Sequence, residues 1–208
     1  PDASGIKAHR MRTDYAPAAS FECSDEDLNA IYGLISHTME NLAFDGYMVD
    51  CASIERLGYG GDGNASTLSF QTMFEAGPLY RNWLQAWCDV IREDGGLPHT
   101  APSPYRAGGG PYWTSFIVQA PWRTYMAYGD DGLLRSCYGS MKLWLEYVDA
   151  YSVDGLLRKW PDTEYRGWYL GDWLAPKEMV NVTDPESIDL VSNCVLSQSY
   201  AELVQIAD

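Results

Sequence analysis

Three carboxylates, Asp50, Glu55 and Asp62, fall within the short run Asp50-Cys51-Ala52-Ser53-Ile54-Glu55-Arg56-Leu57-Gly58-Tyr59-Gly60-Gly61-Asp62. Its three glycines keep it from forming one regular helix, and they allow positive φ and close approach of backbone to a ligand. Acidic side chains on such a segment can converge on a pocket instead of fanning out into water. Convergent carboxyls suit acid/base chemistry on a neutral polyol such as a sugar. The same residues also fit a plainer role, an acidic turn between two helices in a chain that is acidic throughout.

Helical periodicity flanks the run on both sides. Leu28, Ile31, Leu34, Ile35, Met39 and Leu42 predict a helix over about 24–43, with Ser24 as its cap and Asp27 three residues on. A loop from Phe44 to about Gly63 carries the carboxylates. A second helix is predicted over 64–76 with Leu68, Met73 and Phe74 inward. Gly77-Pro78 then starts a third, to about 93, bearing Leu79, Trp83, Leu84, Trp87 and Ile91. Residues 94–113 are rich in Pro and Gly and read as a long loop. A fourth helix fits 114–128, and Gly129-Asp130-Asp131-Gly132 links it to a fifth over 131–152. A further long loop fills 153–184. Asp184-Pro185-Glu186 has the cap, first-turn proline and acidic turn that open a last helix. Residues 1–20 read as a linker or the remnant of a preceding β domain. Strand signals are nearly absent, so the chain reads as all-α, about six helices paired as αα-hairpins with long loops gathered at one end.

Composition narrows the partners. A formal charge of −15 without a Lys/Arg cluster argues against nucleic acid and anionic membrane. No apolar run reaches the roughly 18 residues of a membrane span. The chain starts at Pro1 without a leader pattern, so any targeting segment is expected to be removed or upstream. Cys23, Cys51, Cys88, Cys137 and Cys194 show no CxxC pair, and His9, His37 and His99 show no HExxH pattern. Free, mostly buried thiols are expected, with no metal and no cofactor. Of 8 Trp and 15 Tyr, Trp83, Trp87 and Trp144 sit at helical spacing and read as core. Trp113, Trp168 and Trp173 lie in glycine-rich loops, where an aromatic face can stack on a sugar.

The acidic run resembles the signature of bacterial α-L-rhamnosidases, glycoside hydrolase family 78. Asp50, Cys51, Glu55, Arg56, Leu57, Gly58, Gly61 and Asp62 carry the match. Phe21-Glu22-Cys23-Ser24-Asp25 with Leu28-Asn29-Ala30-Ile31-Tyr32 resembles the start of that family's first barrel helix. Pro121-Trp122-Arg123-Thr124-Tyr125 with Tyr128-Gly129-Asp130 resembles a middle segment, and Gly171-Asp172-Trp173-Leu174-Ala175 a later loop. The matches keep the family's order over about residues 20–176. Ala52 replaces the family's Pro, Ile54 its substrate-contacting Arg, and Tyr59 its Trp, so the exact sugar is left open.

The resemblance implies an (α/α)6 barrel, the six-hairpin glycosidase fold, with residues 21–208 covering roughly its first half. It implies hydrolysis of terminal α-L-rhamnosyl groups with inversion, by a bacterial enzyme that is periplasmic, secreted or cytoplasmic. The expected partners are a carbohydrate substrate and other domains of one parent polypeptide. Glu55 aligns with the family's proton donor, and like-charge repulsion from Asp50 and Asp62 is expected to raise its pKa. In the plainer reading Glu55 pairs with Arg56 or Arg81. Asp50 and Asp62 match positions that bind sugar hydroxyls. Tyr59 keeps an aromatic surface there, and Trp113 and Trp173 correspond by position to stacking aromatics. Asp172 is either part of the site or a turn-forming residue. The family's general base is a Glu beyond this chain, so these 208 residues alone are expected to be inactive. Three alternatives stay open: a six-hairpin glycosidase of other specificity, a non-catalytic carbohydrate-binding relative, and a helical scaffold or interaction module.

Overall fold

Helix α1 (Glu26–Leu42) starts at Asp25, one residue after the expected Ser24, because the Asp25 carboxylate accepts from the N–H groups of Asp27 and Leu28. Such a cap is worth about 1 kcal/mol. The computed structural model describes residues 5–9, 11–104, 109–158 and 185–208. After α1, where the sequence predicts a loop, comes a hairpin, β1 (Ala43–Phe44) and β2 (Tyr47–Met48), with Ala43 opposite Met48. Its strands have two residues each, too short for alternation to register. Its turn is Asp45-Gly46, both at positive φ, the geometry an Asp-Gly pair favours. A second hairpin follows α6 (Gly132–Tyr151) in the same way: β3 (Ser152–Val153) and β4 (Leu156–Leu157) meet at Asp154-Gly155.

Between the hairpins run α2 (Gly60–Met73), α3 (Gly77–Val90), the single turn α4 (Pro111–Thr114) and α5 (Phe116–Tyr128); α7 (Pro185–Ala207) comes last. The all-α expectation holds, with connections falling close to the predicted breaks. Gly129, at φ 69°, caps α5 through its N–H to the Tyr125 carbonyl. The expected fourth helix begins earlier, at Pro111, and is interrupted at Ser115.

Helix α5 sits in the middle and packs against α2, α3, α6 and α7. Trp83 and Trp87 of α3 bring their rings to 4.5 and 5.6 Å from that of Phe116, and both are fully buried, as is Trp144 of α6. These three tryptophans are core, as their spacing indicates. One expectation fails. Leu68 of α2 is 62% exposed, and the buried side chains there are Thr67, Phe70, Gln71 and Met73. Helix α1 buries none of its residues, and Leu28, Ile31, Leu34 and Ile35 of its apolar stripe are exposed. Upstream of α1, Tyr15 packs edge-on against Phe70, and Ala16 and Ala18 exchange backbone hydrogen bonds with Glu75 and Met73. No helix among the described residues is long and apolar enough to cross a membrane. All five thiols are free, with Cys137 buried, Cys194 exposed and the other three half-buried.

Candidate active site

The acidic run divides into two pieces held by different forces. Asp50 grips Leu57 twice: its N–H donates to the Leu57 carbonyl (3.1 Å), and its Oδ1 accepts from the Leu57 N–H (3.0 Å). Within that clasp residues 52–55 turn, and the Glu55 N–H donates to the Cys51 sulfur at 3.4 Å. Arg56, at φ 56°, reverses the chain in the left-handed region, at a cost of roughly 1 kcal/mol for a residue with a Cβ. Positive φ in this run therefore falls on Arg56; Gly58, Gly60 and Gly61 are absent from the positive-φ glycines. The turn folds Glu55 back onto Asp50. One oxygen of each carboxyl and the Cys51 sulfur all lie within 4.8 Å of one another, a donor set that could also hold a cation.

The second piece is fixed by close packing. A Cβ on Gly58 would stand 2.4 Å from the Ala101 carbonyl oxygen and 2.9 Å from Trp83 Nε1. That room lets the Ala101 N–H donate to the Gly58 carbonyl (3.0 Å), while the Trp83 indole N–H donates to Ala101 O (2.8 Å). Tyr59 lies flat on the buried His99, ring centroids 5.0 Å apart and planes 4° from parallel. The Gly60 N–H donates to the His99 carbonyl and opens α2. A Cβ on Gly60 would meet the Trp113 carbonyl oxygen at 2.0 Å, and one on Gly61 the Trp113 indole at 2.6 Å. These glycines make room for the protein's own backbone and rings. Asp62 consequently sits in the first turn of α2, where the helix dipole favours an anion.

The three carboxyls sense one another. Glu55 is exposed, and its carboxyl is held above the ordinary range, first by a side-chain hydrogen bond with Asp50, then by some loss of water and the Asp50 charge. A hydrogen bond from Tyr59 opposes this, and Asp62 adds a smaller repulsion. Asp50 moves the other way. Burial works to raise it, but hydrogen bonds from the Cys51 side chain, the Leu57 N–H and Glu55 leave it below the usual range. Asp62 is accessible to solvent, yet the protein crowding its carboxyl raises it, and the Asp50 charge contributes. Of the pair Asp50–Glu55, Glu55 therefore has the higher proton affinity, the partition expected of coupled carboxyls in unequal surroundings. Repulsion alone was the expected cause; the hydrogen bond is the larger one.

Asp50, Glu55, Tyr59 and Asp62 are therefore brought together. Trp113 is 5% exposed and lies under the α2 N-terminus, against Gly61. Asp172, Trp173 and Trp168 lie outside the described residues. Arg81, one partner in the plainer reading, is paired with Asp130 at 2.7 Å. Four neighbours have no role in the sequence-based expectation. Tyr112 stands edge-on to Trp113 and is close enough to Asp62 for that charge to raise its hydroxyl, after burial and against Arg123. Arg123 donates to the Asn64 carbonyl and to Gln119 Oε1, tying α5 to the first turns of α2. Asn64 itself is buried and donates to the Tyr112 carbonyl and Ser115 Oγ. His99 supports Tyr59. Only Arg123 had a sequence signal, within Pro-Trp-Arg-Thr-Tyr; the others depend on contacts distant in sequence.

The bacterial alpha-L-rhamnosidase six-hairpin glycosidase domain model matches residues 16–208. An α-L-rhamnosidase of Streptomyces avermitilis is 28% identical over 200 residues, covering 96% of this chain and 18% of its own length. One of Formosa agariphila is 29% identical over 160 residues, covering 74% of this chain and 17% of its own. Among solved structures, α-L-rhamnosidase from Dictyoglumus thermophilum superposes with a TM-score of 0.82 at 25% identity, over 94% of this chain and 21% of that one. The Streptomyces avermitilis enzyme complexed with L-rhamnose superposes with a TM-score of 0.81 at 26% identity, over 94% and 18%. The chain thus spans about a fifth of the length of the relatives it matches.

Proposed function

Since the chain belongs to the bacterial α-L-rhamnosidase six-hairpin glycosidase family, we propose that it carries the general-acid side of a catalytic domain. The reaction is removal of terminal α-L-rhamnosyl groups from glycosides or polysaccharides. Glycoside hydrolysis needs one protonated carboxyl to hand its proton to the departing oxygen and one carboxylate acting on the opposite face of the sugar. Glu55 takes the first role. The observation that supports this is its hydrogen bond with Asp50, which raises the proton affinity of Glu55 while that of Asp50 is lowered.

In this reading Asp50 also accepts a sugar hydroxyl with the lone pairs that Leu57 leaves unused, and Asp62 accepts another from the α2 N-terminus. Tyr59 presents one ring face to the sugar and keeps the other on His99. Trp113 supports Asp62 from below through Gly61, and Asp172 and Trp173 are assigned to the same sugar from their positions in the family's later loop alone. The base is a carboxylate elsewhere in the parent polypeptide. It activates water across the ring, so configuration inverts. Other regions of that polypeptide cover the apolar stripe of α1.

Glu55→Gln in the full-length polypeptide tests the assignment. Turnover of a natural rhamnosyl disaccharide should fall by about 10²–10⁴-fold, and far less for an aryl rhamnoside whose leaving group needs little protonation. Equal losses on both substrates would remove Glu55 from the acid role. Ile54, 78% exposed beside Glu55, favours a second reading with another sugar at the same site. A panel of aryl glycosides separates the two by whichever sugar gives the highest kcat/KM.

A further inference from the structure

The acid/base chemistry makes no use of the thiols in the helical layer behind it. Cys88, near the end of α3, and Cys137, in α6, approach across the contact between those helices, with their sulfurs 3.7 Å apart. Cys137 is 1% exposed, whereas Cys88 is only half-buried, so a reagent arriving from solvent meets Cys88 first. We propose that Cys88 and Cys137 form a redox-active dithiol which a low-molecular-weight disulfide, such as oxidised glutathione, converts into a covalent bridge between α3 and α6.

The exchange proceeds in two displacements. The Cys88 thiolate attacks one sulfur of the small disulfide, forms a mixed disulfide and releases one small thiolate. Cys137 then loses its proton and attacks the Cys88 sulfur, forming the Cys88–Cys137 bond and expelling the second small thiol. Two protein thiols are oxidised, and one small disulfide is reduced to two thiols. Side-chain rotation must bring the sulfurs from 3.7 Å to about 2.05 Å.

The surroundings assign the order. A hydrogen bond from Cys137 brings the Cys88 thiol down to about 7; the Ser140 hydroxyl assists, while burial and the Asp89 charge oppose. The Cys137 thiol is pushed up, first by its bond to Cys88 and then by burial, which suits the slower, resolving member. The bridge also bears on the motif indirectly. Helix α3 carries Trp83, whose indole holds the Ala101 carbonyl and, through Ala101, the Gly58 backbone. Tying α3 to α6 would stiffen that support from behind.

The test takes the reduced full-length polypeptide, incubates it with oxidised glutathione near neutral pH, alkylates the remaining thiols and maps the peptides by mass spectrometry. A Cys88–Cys137 cross-linked peptide that disappears on reduction is expected, together with a Tm higher by roughly 5–10 °C. In Cys137→Ser the reaction should stop at a glutathione adduct on Cys88. The proposal is overturned if Cys88 and Cys137 are both recovered alkylated while Cys194 is modified. It is equally overturned if the unsubstituted protein accumulates the Cys88 adduct without the bridge. The unsubstituted protein alone decides the matter if Cys137→Ser does not fold.

Discussion

Helices α1 and α2 are near neighbours in the chain and opposites in construction. Helix α1 has a regular apolar stripe and a side-chain cap, yet none of its 17 residues is buried. Helix α2 opens with Gly60, Gly61 and Gly63, has an irregular apolar pattern, and buries eight of its 14 residues. Periodicity and capping mark the first, and tertiary contact holds the second. The helix that presents Asp62 is held by how closely a bare backbone can approach Trp113 and Phe116, and very little by its own preference to be helical. A site built this way is sensitive to a single methyl group.

Substituting glycines is the sharpest way to break that contrast. Gly60→Ala places a methyl 2.0 Å from a backbone oxygen that cannot move aside, so stability should fall by about 3 kcal/mol and any activity with it. Gly33→Ala is the mirror experiment. Gly33 lies in α1 with nothing within 4 Å of a new Cβ, and the substitution should stabilise by about 0.5–1 kcal/mol. Thermal or urea unfolding of the two variants checks both signs, and equal shifts would erase the distinction.

Within the acidic run, Asp50→Asn sharpens the comparison between the clasped and the packed piece. It removes the charge that helps keep the Glu55 carboxyl high and supplies an amide N–H that can donate to ionised Glu55, so the pKa falls. Protonated Glu55 is the working form, so activity is lost as pH rises through its pKa. Lowering that pKa must move the basic limb of the kcat/KM profile to lower pH. Packing of the second piece should be untouched, since its glycines meet Ala101, Trp83 and Trp113. The smallest effect is expected at Arg56→Gly. Relief of the left-handed φ is offset by the greater freedom of glycine in the unfolded chain, leaving stability within about 0.5 kcal/mol of the parent.

These contrasts also explain what could be read from the residues alone. Helix positions were legible because Gly-Pro, Gly-Asp-Asp-Gly and Asp-Pro mark their ends in the chain itself. The α2 start was placed at residue 64 instead of Gly60 because glycines read as loop until a packing partner is known. Leu68 was assigned inward by hydrophobicity, although α2 turns Thr67 and Gln71 to the interior, with Gln71 bonded to Thr124 of α5. The carboxylates were legible from type and spacing. Their unequal proton affinities were not, because those follow from the Asp50–Leu57 clasp and the turn at Arg56. The ring of Tyr59 is legible in the sequence, but its support by His99 spans forty residues and has no local signal.

The account depends on Glu55 holding its proton more tightly than an ordinary glutamate because Asp50 is beside it. Titration of the Glu55 side-chain carboxyl by 13C NMR, assigned by its loss in Glu55→Gln, measures this without any substrate. The midpoint should lie above the ordinary glutamate value of about 4.3 and fall when Asp50 is replaced by Asn. An ordinary midpoint that ignores the Asp50 substitution would contradict the proposed acid.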